Sequence, residues 1–238
     1  MNPCSIRVMQ QGPLPRLEPG SAVTLRINRS PSVTASHINN YVVLIDDSVT
    51  VFVPQLPTGG IGLVNVAVEL DQYLANHPKE LGIYPLLCQV MGWSCDTKYY
   101  SGLMADYFLP HLQGFISQIS QTNTELNLNN IIGFGAGLTP SCDDMLVGIL
   151  AYLDYSQHSY FDVVANACRA RVSQTTDVSK AMLELAIARQ FNQDIVVFFE
   201  CLAEGSEIGP ALDAIDQYGH SSGHDTLCGI YLAAKLIA

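Results

Sequence analysis

The feature that most constrains this chain is a short sequence that occurs twice without gaps, each time before an apolar stretch. S-C-D-D-M-L-V-G-I, from Ser141 to Ile149, aligns with S-G-H-D-T-L-C-G-I, from Ser222 to Ile230. A serine followed three positions later by an acid is typical of a capping box. In this motif the serine hydroxyl accepts a hydrogen bond from a backbone N–H that has no partner within the helix. Each copy therefore predicts the start of a helix that is apolar on all sides and mostly buried.

Both repeated stretches also contain a glycine inside the predicted helix. Such a glycine costs about 1 kcal/mol relative to alanine, so we expect Gly148 and Gly229 to allow another backbone to come close, as would be the case if the two helices cross at their glycines. Each aspartate precedes its glycine by one helical turn, about 6 Å along the axis. Asp144 and Asp225 are therefore predicted to face one pocket. The alternative is that both aspartates only cap their helices.

A glycine-rich loop, I-I-G-F-G-A-G-L-T-P-S, leads into the first stretch. Backbone N–H groups at the positive end of a helix can hold phosphate or carboxylate. The loop is neither G-x-G-x-x-G nor a Walker sequence, so nucleotide binding is unsupported. A simple packing turn is the alternative. The predicted anion-binding residues of this region are Gly133, Gly135, Gly137, Thr139, Ser141 and Asp143.

Histidines and serines crowd the entrance to the second helix, in Y-G-H-S-S-G-H-D. A histidine beside a carboxylate can transfer protons near neutral pH, so His220 and His224 are candidate catalytic residues together with Asp144 and Asp225. Ser221 and Ser222 are candidate binding residues. The spacing of the two histidines also occurs in metal sites on helices, but Gly223 places them across a loop-to-helix junction, and we expect no metal and no cofactor.

A third polar cluster, R-A-R-V-S-Q-T-T-D-V-S-K, offers hydroxyl groups and cations before another predicted helix. Its alternative interpretation is a capped helix junction with solvated charges. If the pocket takes an anion, this cluster adds four binding residues, namely Thr175, Thr176, Ser179 and Lys180.

The charge balance narrows the choice of partners. Eleven Lys and Arg residues stand against 22 Asp and Glu residues, a formal net charge of -11, so nucleic acid is an unfavourable partner. The longest uncharged apolar run, Met145 to Leu153, is too short to span a bilayer. Seven cysteines without C-x-x-C pairs fit reduced thiols. We therefore expect a cytoplasmic protein without membrane or nucleic-acid contacts.

The two halves of the chain differ in pattern. β-Branched segments between Ser21 and Val68, with a turn at Asp46 to Ser48, predict antiparallel strands, whereas Ile61 to Leu70 fits either strand or helix. From Tyr99 onward the spacing is helical, although Ile195 to Phe199 also resembles a strand. Helices are predicted at 99–121, 140–156, 159–172, 177–190, 193–204, 207–218 and 222–237. The predicted fold class is α+β, with a β-rich unit over residues 1–98 and a mainly helical domain over residues 99–238.

These motifs resemble a known family. G-F-G-A-G-L-T-P-S-C-D-D-M-L-V-G is similar to the signature G-x-G-x-G-L-T-P-S-G-D-D-x-L-x-G of the DUF2877 family, which includes a subunit of oxamate carbamoyltransferase from anaerobic allantoin breakdown. T-T-D-V-S-K-A-M-L and G-H-S-S-G-H-D-T-L-C-G look like its two later motifs, so the likeness covers residues 130 to 238 well and the β-rich N-terminal half loosely. Cys142 and His224 depart from the family pattern.

The resemblance implies transfer of a carbamoyl group, with oxalurate and phosphate giving oxamate and carbamoyl phosphate, in a complex with other subunits. The expected ligand is a small anion. A non-catalytic scaffold subunit is the main alternative, and a metal-dependent hydrolase using Asp143, Asp144, His220 and His224 is a third hypothesis.

Overall fold

A computed structural model describes residues 26–27, 34–38, 41–45, 55–58, 63–93 and 103–237. Three short strands lie in the N-terminal part, and they form one antiparallel sheet in the order β1-β2-β3. Ser36 of the middle strand stands opposite Ile27 on one side and Val43 on the other. The strands are β1 Arg26–Ile27, β2 Thr34–Ile38 and β3 Tyr41–Ile45. The predicted strand at 49–54 and the turn at 46–48 lie outside the described residues.

Helices make up most of the remaining described chain. All the helices predicted after residue 99 are present within a few residues of the predicted bounds, and Ile195 to Phe199 is helical. The bounds are α1 Leu63–Asn76, α2 Tyr84–Met91, α3 Leu103–Ser120, α4 Ser141–Tyr155, α5 Phe161–Arg169, α6 Asp177–Ile187, α7 Gln193–Glu204, α8 Gly209–Asp216 and α9 Ser222–Leu236.

The predicted α+β class is wrong, because the described part of the chain is a helical fold. The strands comprise only two, five and five residues, and α1 and α2 both fall inside the range that was expected to be β-rich. In α1, Val66, Leu70 and Leu74 recur every four residues and are buried. The face that these residues form packs against α9. Burial of this face outweighs the strand preference of the β-branched residues nearby.

Helix α2 was not predicted, although its sequence carries start and stop signals. Pro85 stands in the first turn, where its missing N–H costs nothing. Gly92 ends the helix in the left-handed region, with φ of 69°. The first five residues of the helix are all buried, so α2 belongs to the core.

Helices α4 and α9 cross in the centre of the core, as the repeated glycines predicted. A Cβ atom at position 148 would lie 2.0 Å from the carbonyl oxygen of Thr226, and one at position 229 would lie 2.0 Å from that of Met145. Met145 and Thr226 are equivalent in the repeat, so the two contacts are related by an approximate two-fold axis. Only glycine permits this approach on both sides.

The chain forms two compact units, one of residues 5–53 and one containing residues 54–238. All nine helices of the described residues lie in the second unit, so α1 and α2 share it with the C-terminal helices. The division at residues 98 and 99 stays a prediction. Among the described helices, none is both long enough and apolar enough to cross a membrane.

Candidate functional site

The two repeated stretches meet at their helix starts, but their serines are not the caps. Pro140 and Ser221 occupy the N-cap positions of α4 and α9, and neither makes a side-chain cap bond. Each serine instead interacts with the aspartate of the other helix: Ser222 with Asp144, and Ser141 with Asp225. The capping-box prediction is therefore wrong in its bonding, and the hydroxyls join the two copies.

Asp144 and Asp225 form the centre of the candidate site. They are 1% and 0% exposed, and the Oδ2 atom of each has no hydrogen-bond partner in the described structure. Burial, and then the neighbouring Asp225 carboxylate, raise the pKa of Asp144 to about 8 despite the hydroxyls of Ser222 and Thr139. Burial likewise raises the pKa of Asp225 to about 7. Two such carboxyl groups exchange protons near neutral pH.

The segment before α2, residues 79–83, covers one side of this pair. The backbone N–H of Ile83 donates to Oδ1 of Asp225 at 2.6 Å. Gly82, with φ of +88°, lies so close that a Cβ atom there would be 2.3 Å from the same oxygen. Asp225 thus accepts from the start of α2, where the helix dipole favours a negative charge. On the other side of the pair, the hydroxyls of Thr139 and Ser222 are 2.7 Å apart.

Asp143 is buried like its neighbour, but it is fully bonded. Its Oδ1 accepts from the N–H of Gly133 at 2.8 Å. Its Oδ2 accepts from the hydroxyl of Ser179 at 2.7 Å and from that of Thr175. Four predicted anion-binding residues are therefore brought together, but they bond to one another. Asp143 joins the glycine-rich loop to the region where α6 begins.

The glycine-rich loop wraps around the start of α4. All three glycines have positive φ, and a Cβ atom at Gly135 would lie 2.2 Å from the backbone nitrogen of Ser141. Gly137 has open space around it, and Leu138 beside it is 71% exposed. Gly135 and Gly137 remain candidate residues for binding an anion, whereas the N–H of Gly133 already donates to Asp143.

Thr176 both caps α6 and holds the loop. Its hydroxyl oxygen accepts from the N–H of Ser179 at 3.1 Å, and its hydroxyl hydrogen is donated to the carbonyl of Leu138. We predict that Thr176→Ala lowers the free energy of unfolding by about 1–2 kcal/mol, since both bonds are lost. Denaturant titration measures the change. Thr176→Ser retains the hydroxyl and should stay within about 0.5 kcal/mol of the wild type; equal losses in the two variants would contradict this role.

The two histidines of the second stretch have different surroundings. His224 is fully buried, and its Nδ1 lies 2.7 Å from Oδ1 of Asp216. Its ring meets Tyr84 edge-on at 5.1 Å. His220 lies in the turn before α9 with an exposed side chain. The side chain of Lys180 is half-buried, and its ammonium group stands 4.0 Å from Glu184.

Sequence reasoning missed three residues that shape this region. Gly82 and Ile83 were overlooked because α2 itself was not predicted, although the G-I-Y-P sequence marks a helix start. Asp216 lies eight residues before His224 on a different helix, and nothing local marks it as a partner. Ser221 was predicted and is placed beside Asp225, where it lowers the pKa of that carboxyl.

No group of three or more His, Cys, Asp or Glu side chains among the described residues has a geometry that holds a metal ion. A small cavity lies elsewhere, lined by residues that include Met182, Leu185 and Phe191. The aspartate pair is enclosed by the glycine-rich loop, α9 and the segment before α2.

The fold and site define a helical protein in which two crossing helices hold a buried pair of aspartates. Residues 131–234 match the family model described as oxamate carbamoyltransferase subunit AllH. The match covers somewhat less than half of the chain, and it contains the glycine-rich loop and both Ser-to-Asp stretches. It confirms the resemblance indicated by the motifs. No solved structure matches the chain.

Proposed function

We propose that this chain is a subunit of a cytoplasmic carbamoyltransferase that acts on a small amide, with oxalurate and phosphate giving oxamate and carbamoyl phosphate. In this reaction a phosphate oxygen attacks the carbamoyl carbon, and the bond from that carbon to the oxamate nitrogen breaks. The nitrogen must gain a proton, and the attacking phosphate must lose one. The other partners of the chain are further subunits of the same enzyme.

The observation that carries the proposal is the Asp144–Asp225 pair. Burial raises the pKa of each carboxyl to the neutral range, about 8 and about 7, so the pair holds a transferable proton at pH 7. A protonated carboxyl of the pair can donate this proton to the leaving nitrogen. A buried site also strengthens hydrogen bonds to the developing oxyanion.

Substrate entry requires a movement of the covering segment, because both carboxylates are closed from solvent. Gly82 and Ile83 lie directly against Asp225, and they precede a helix of only eight residues. Their displacement would expose Oδ1 of Asp225 and the start of α2. Closure afterwards excludes water, which would otherwise hydrolyse the carbamoyl group.

The direct test is reconstitution of the purified chain with the products of its neighbouring genes. Carbamoyl phosphate formation from oxalurate and phosphate is then measured. Activity that needs all subunits, and that is lost when this chain is omitted, supports the proposal. No carbamoyl phosphate from a complex of verified composition would count against it.

A scaffold subunit without chemistry is the second candidate, and the enclosure of the pair favours it. In that case the aspartates stabilise the crossing of α4 and α9, and Asp144→Asn and Asp225→Asn variants should fail to assemble with the other subunits. Under the catalytic proposal the same variants assemble and are inactive. Size-exclusion chromatography of the variant complexes, followed by the activity assay, separates the two.

A further inference from the structure

A second buried polar group lies beside the aspartate pair, built around His224. Its Nδ1 is 2.7 Å from Oδ1 of Asp216, and Oδ2 of Asp216 is 3.0 Å from the ammonium group of Lys79. The imidazole is 0% exposed, the Asp216 carboxylate 12% and the Lys79 side chain 33%. The three side chains thus form a chain that leads from the surface to a buried ring.

The contact with Asp216 decides which ring nitrogen carries the proton. A carboxylate only accepts, so Nδ1 must bear the hydrogen, and the neutral ring then has its lone pair on Nε2. Burial lowers the pKa of His224; Asp216 opposes this change, and Lys79 adds to it. The ring is therefore neutral at pH 7, with a basic nitrogen that points away from Asp216.

Nε2 of His224 is buried and has no hydrogen-bond partner in the described structure. A buried polar atom without a partner is destabilising, and such atoms in folded proteins need an explanation. Oδ2 of Asp144 and Oδ2 of Asp225 are in the same condition. Three buried polar atoms without a partner in the described structure, all from the two Ser-to-Asp stretches, point to a ligand with polar groups at this place.

One segment connects His224 to the aspartate pair. Ile83 donates its N–H to Asp225, and the next residue, Tyr84, packs its ring against His224. Lys79, in the same segment, pairs with Asp216. Movement of this segment to admit a substrate therefore uncovers the imidazole and the carboxylate of Asp225 together.

We infer that Asp216 is a positioning residue, which holds His224 as the Nδ1–H tautomer so that Nε2 accepts a proton from the substrate. The inference rests on the proposed function and adds a residue to it. His224 then takes the proton from the attacking phosphate, and a protonated carboxyl of the aspartate pair gives one to the leaving nitrogen. Asp216 itself does not touch the substrate.

The tautomer can be measured in the full chain alone by ¹⁵N NMR of histidine. The expected spectrum of the wild type at pH 7 shows His224 with a protonated Nδ1 and an unprotonated Nε2. In Asp216→Asn the side-chain NH₂ group can donate a hydrogen bond to Nδ1. Nδ1 then acts as the acceptor, and the ring should carry its proton on Nε2. A wild-type His224 that is protonated on Nε2, or a variant with an unchanged spectrum, overturns the inference.

The kinetic test uses the reconstituted complex and a matched control. Asp216→Asn should lower kcat by about 10²-fold with KM within about twofold. Asp213 lies one turn earlier on α8 and bonds to Tyr73 at 2.9 Å, so Asp213→Asn should keep kcat within about twofold of the wild type. Equal kcat values for the two variants overturn the inference.

The two tests separate this inference from the proposed function. The NMR measurement involves no substrate, so a wrong tautomer rejects this inference alone, and an inactive wild-type complex rejects the proposed function.

Discussion

Replacing Asp144 by asparagine should abolish most of the carbamoyl transfer while making the protein more stable. The loss in kcat is expected to be about 10²–10⁴-fold, the usual contribution of a residue that transfers a proton. The stability gain follows from removing a carboxyl group that is 1% exposed and lies beside Asp225. Activity is measured in the reconstituted complex, and unfolding is followed in denaturant at several pH values.

The stability gain of Asp144→Asn should grow with pH. Burial raises the pKa of Asp144 from 3.8 to about 8, so between these values the folded protein keeps a proton that the unfolded chain releases. The wild type therefore loses stability as pH rises from about 4 and levels off above about 8. Because asparagine does not ionise, the variant should exceed the wild type by about 2–5 kcal/mol at pH 9, and by much less at pH 4.

Asp143 provides the matched control, since it is adjacent and equally buried. Its carboxylate accepts bonds from Gly133 and Ser179, among others, and an amide nitrogen in place of Oδ2 would meet donors. Asp143→Asn should therefore lower the free energy of unfolding by about 1–3 kcal/mol. If Asp144→Asn is destabilising at pH 9 to the same degree as Asp143→Asn, the account of the Asp144–Asp225 pair is wrong.

Adding one methyl group at the helix crossing should have the largest structural effect. Gly148→Ala would place a carbon 2.0 Å from the carbonyl oxygen of Thr226, and a backbone oxygen cannot move away as a side chain can. We expect the free energy of unfolding to fall by about 3 kcal/mol or more. Gly229→Ala should behave alike, because it meets the backbone of Met145 at the same distance.

Gly114→Ala is the control for this substitution. Gly114 lies inside α3, and a Cβ atom there would meet nothing within 4 Å apart from its chain neighbours and the backbone of its own helix. Alanine is the better helix former, so this variant should be about 0.5–1 kcal/mol more stable than the wild type. Thermal and denaturant unfolding of the three variants tests the contrast. A Gly148→Ala protein that matches Gly114→Ala would mean that α4 and α9 do not cross at their glycines.

The helical half of this fold could be predicted because its signals are local. Apolar periodicity marked every helix after residue 99, and the repeated glycines of α4 and α9 indicated a close crossing. The range of the β-rich unit was wrong, because the segment from Ile61 to Leu70 was left open between strand and helix, although Val66, Leu70 and Leu74 follow a four-residue spacing. Burial of that face against α9 decides the structure, and a sequence does not display its packing partners.

The site was predicted in part for the same reason. The repeat identified Asp144 and Asp225, and the structure places them together. The predicted bonding of the serines was wrong. An isolated S-x-x-D predicts that the serine caps its own helix, whereas here each serine interacts with the aspartate of the other helix. Asp216 could not be found, because nothing local marks it as the partner of His224. Ile83 could have been noticed only as part of a helix start, since its contact with Asp225 joins residues far apart in sequence.

The reciprocal bonding of the two stretches has a consequence for the order of folding. The hydroxyl contact between Thr139 and Ser222 spans 83 positions, and the bond from Ile83 to Asp225 spans 142. Contacts of such long range form slowly, because a large loop must close first. A chain in which α9 has not yet docked therefore leaves Asp144 without Ser222 and Asp225 without Ser141. Catalytic competence should appear with the last, slowest phase of refolding.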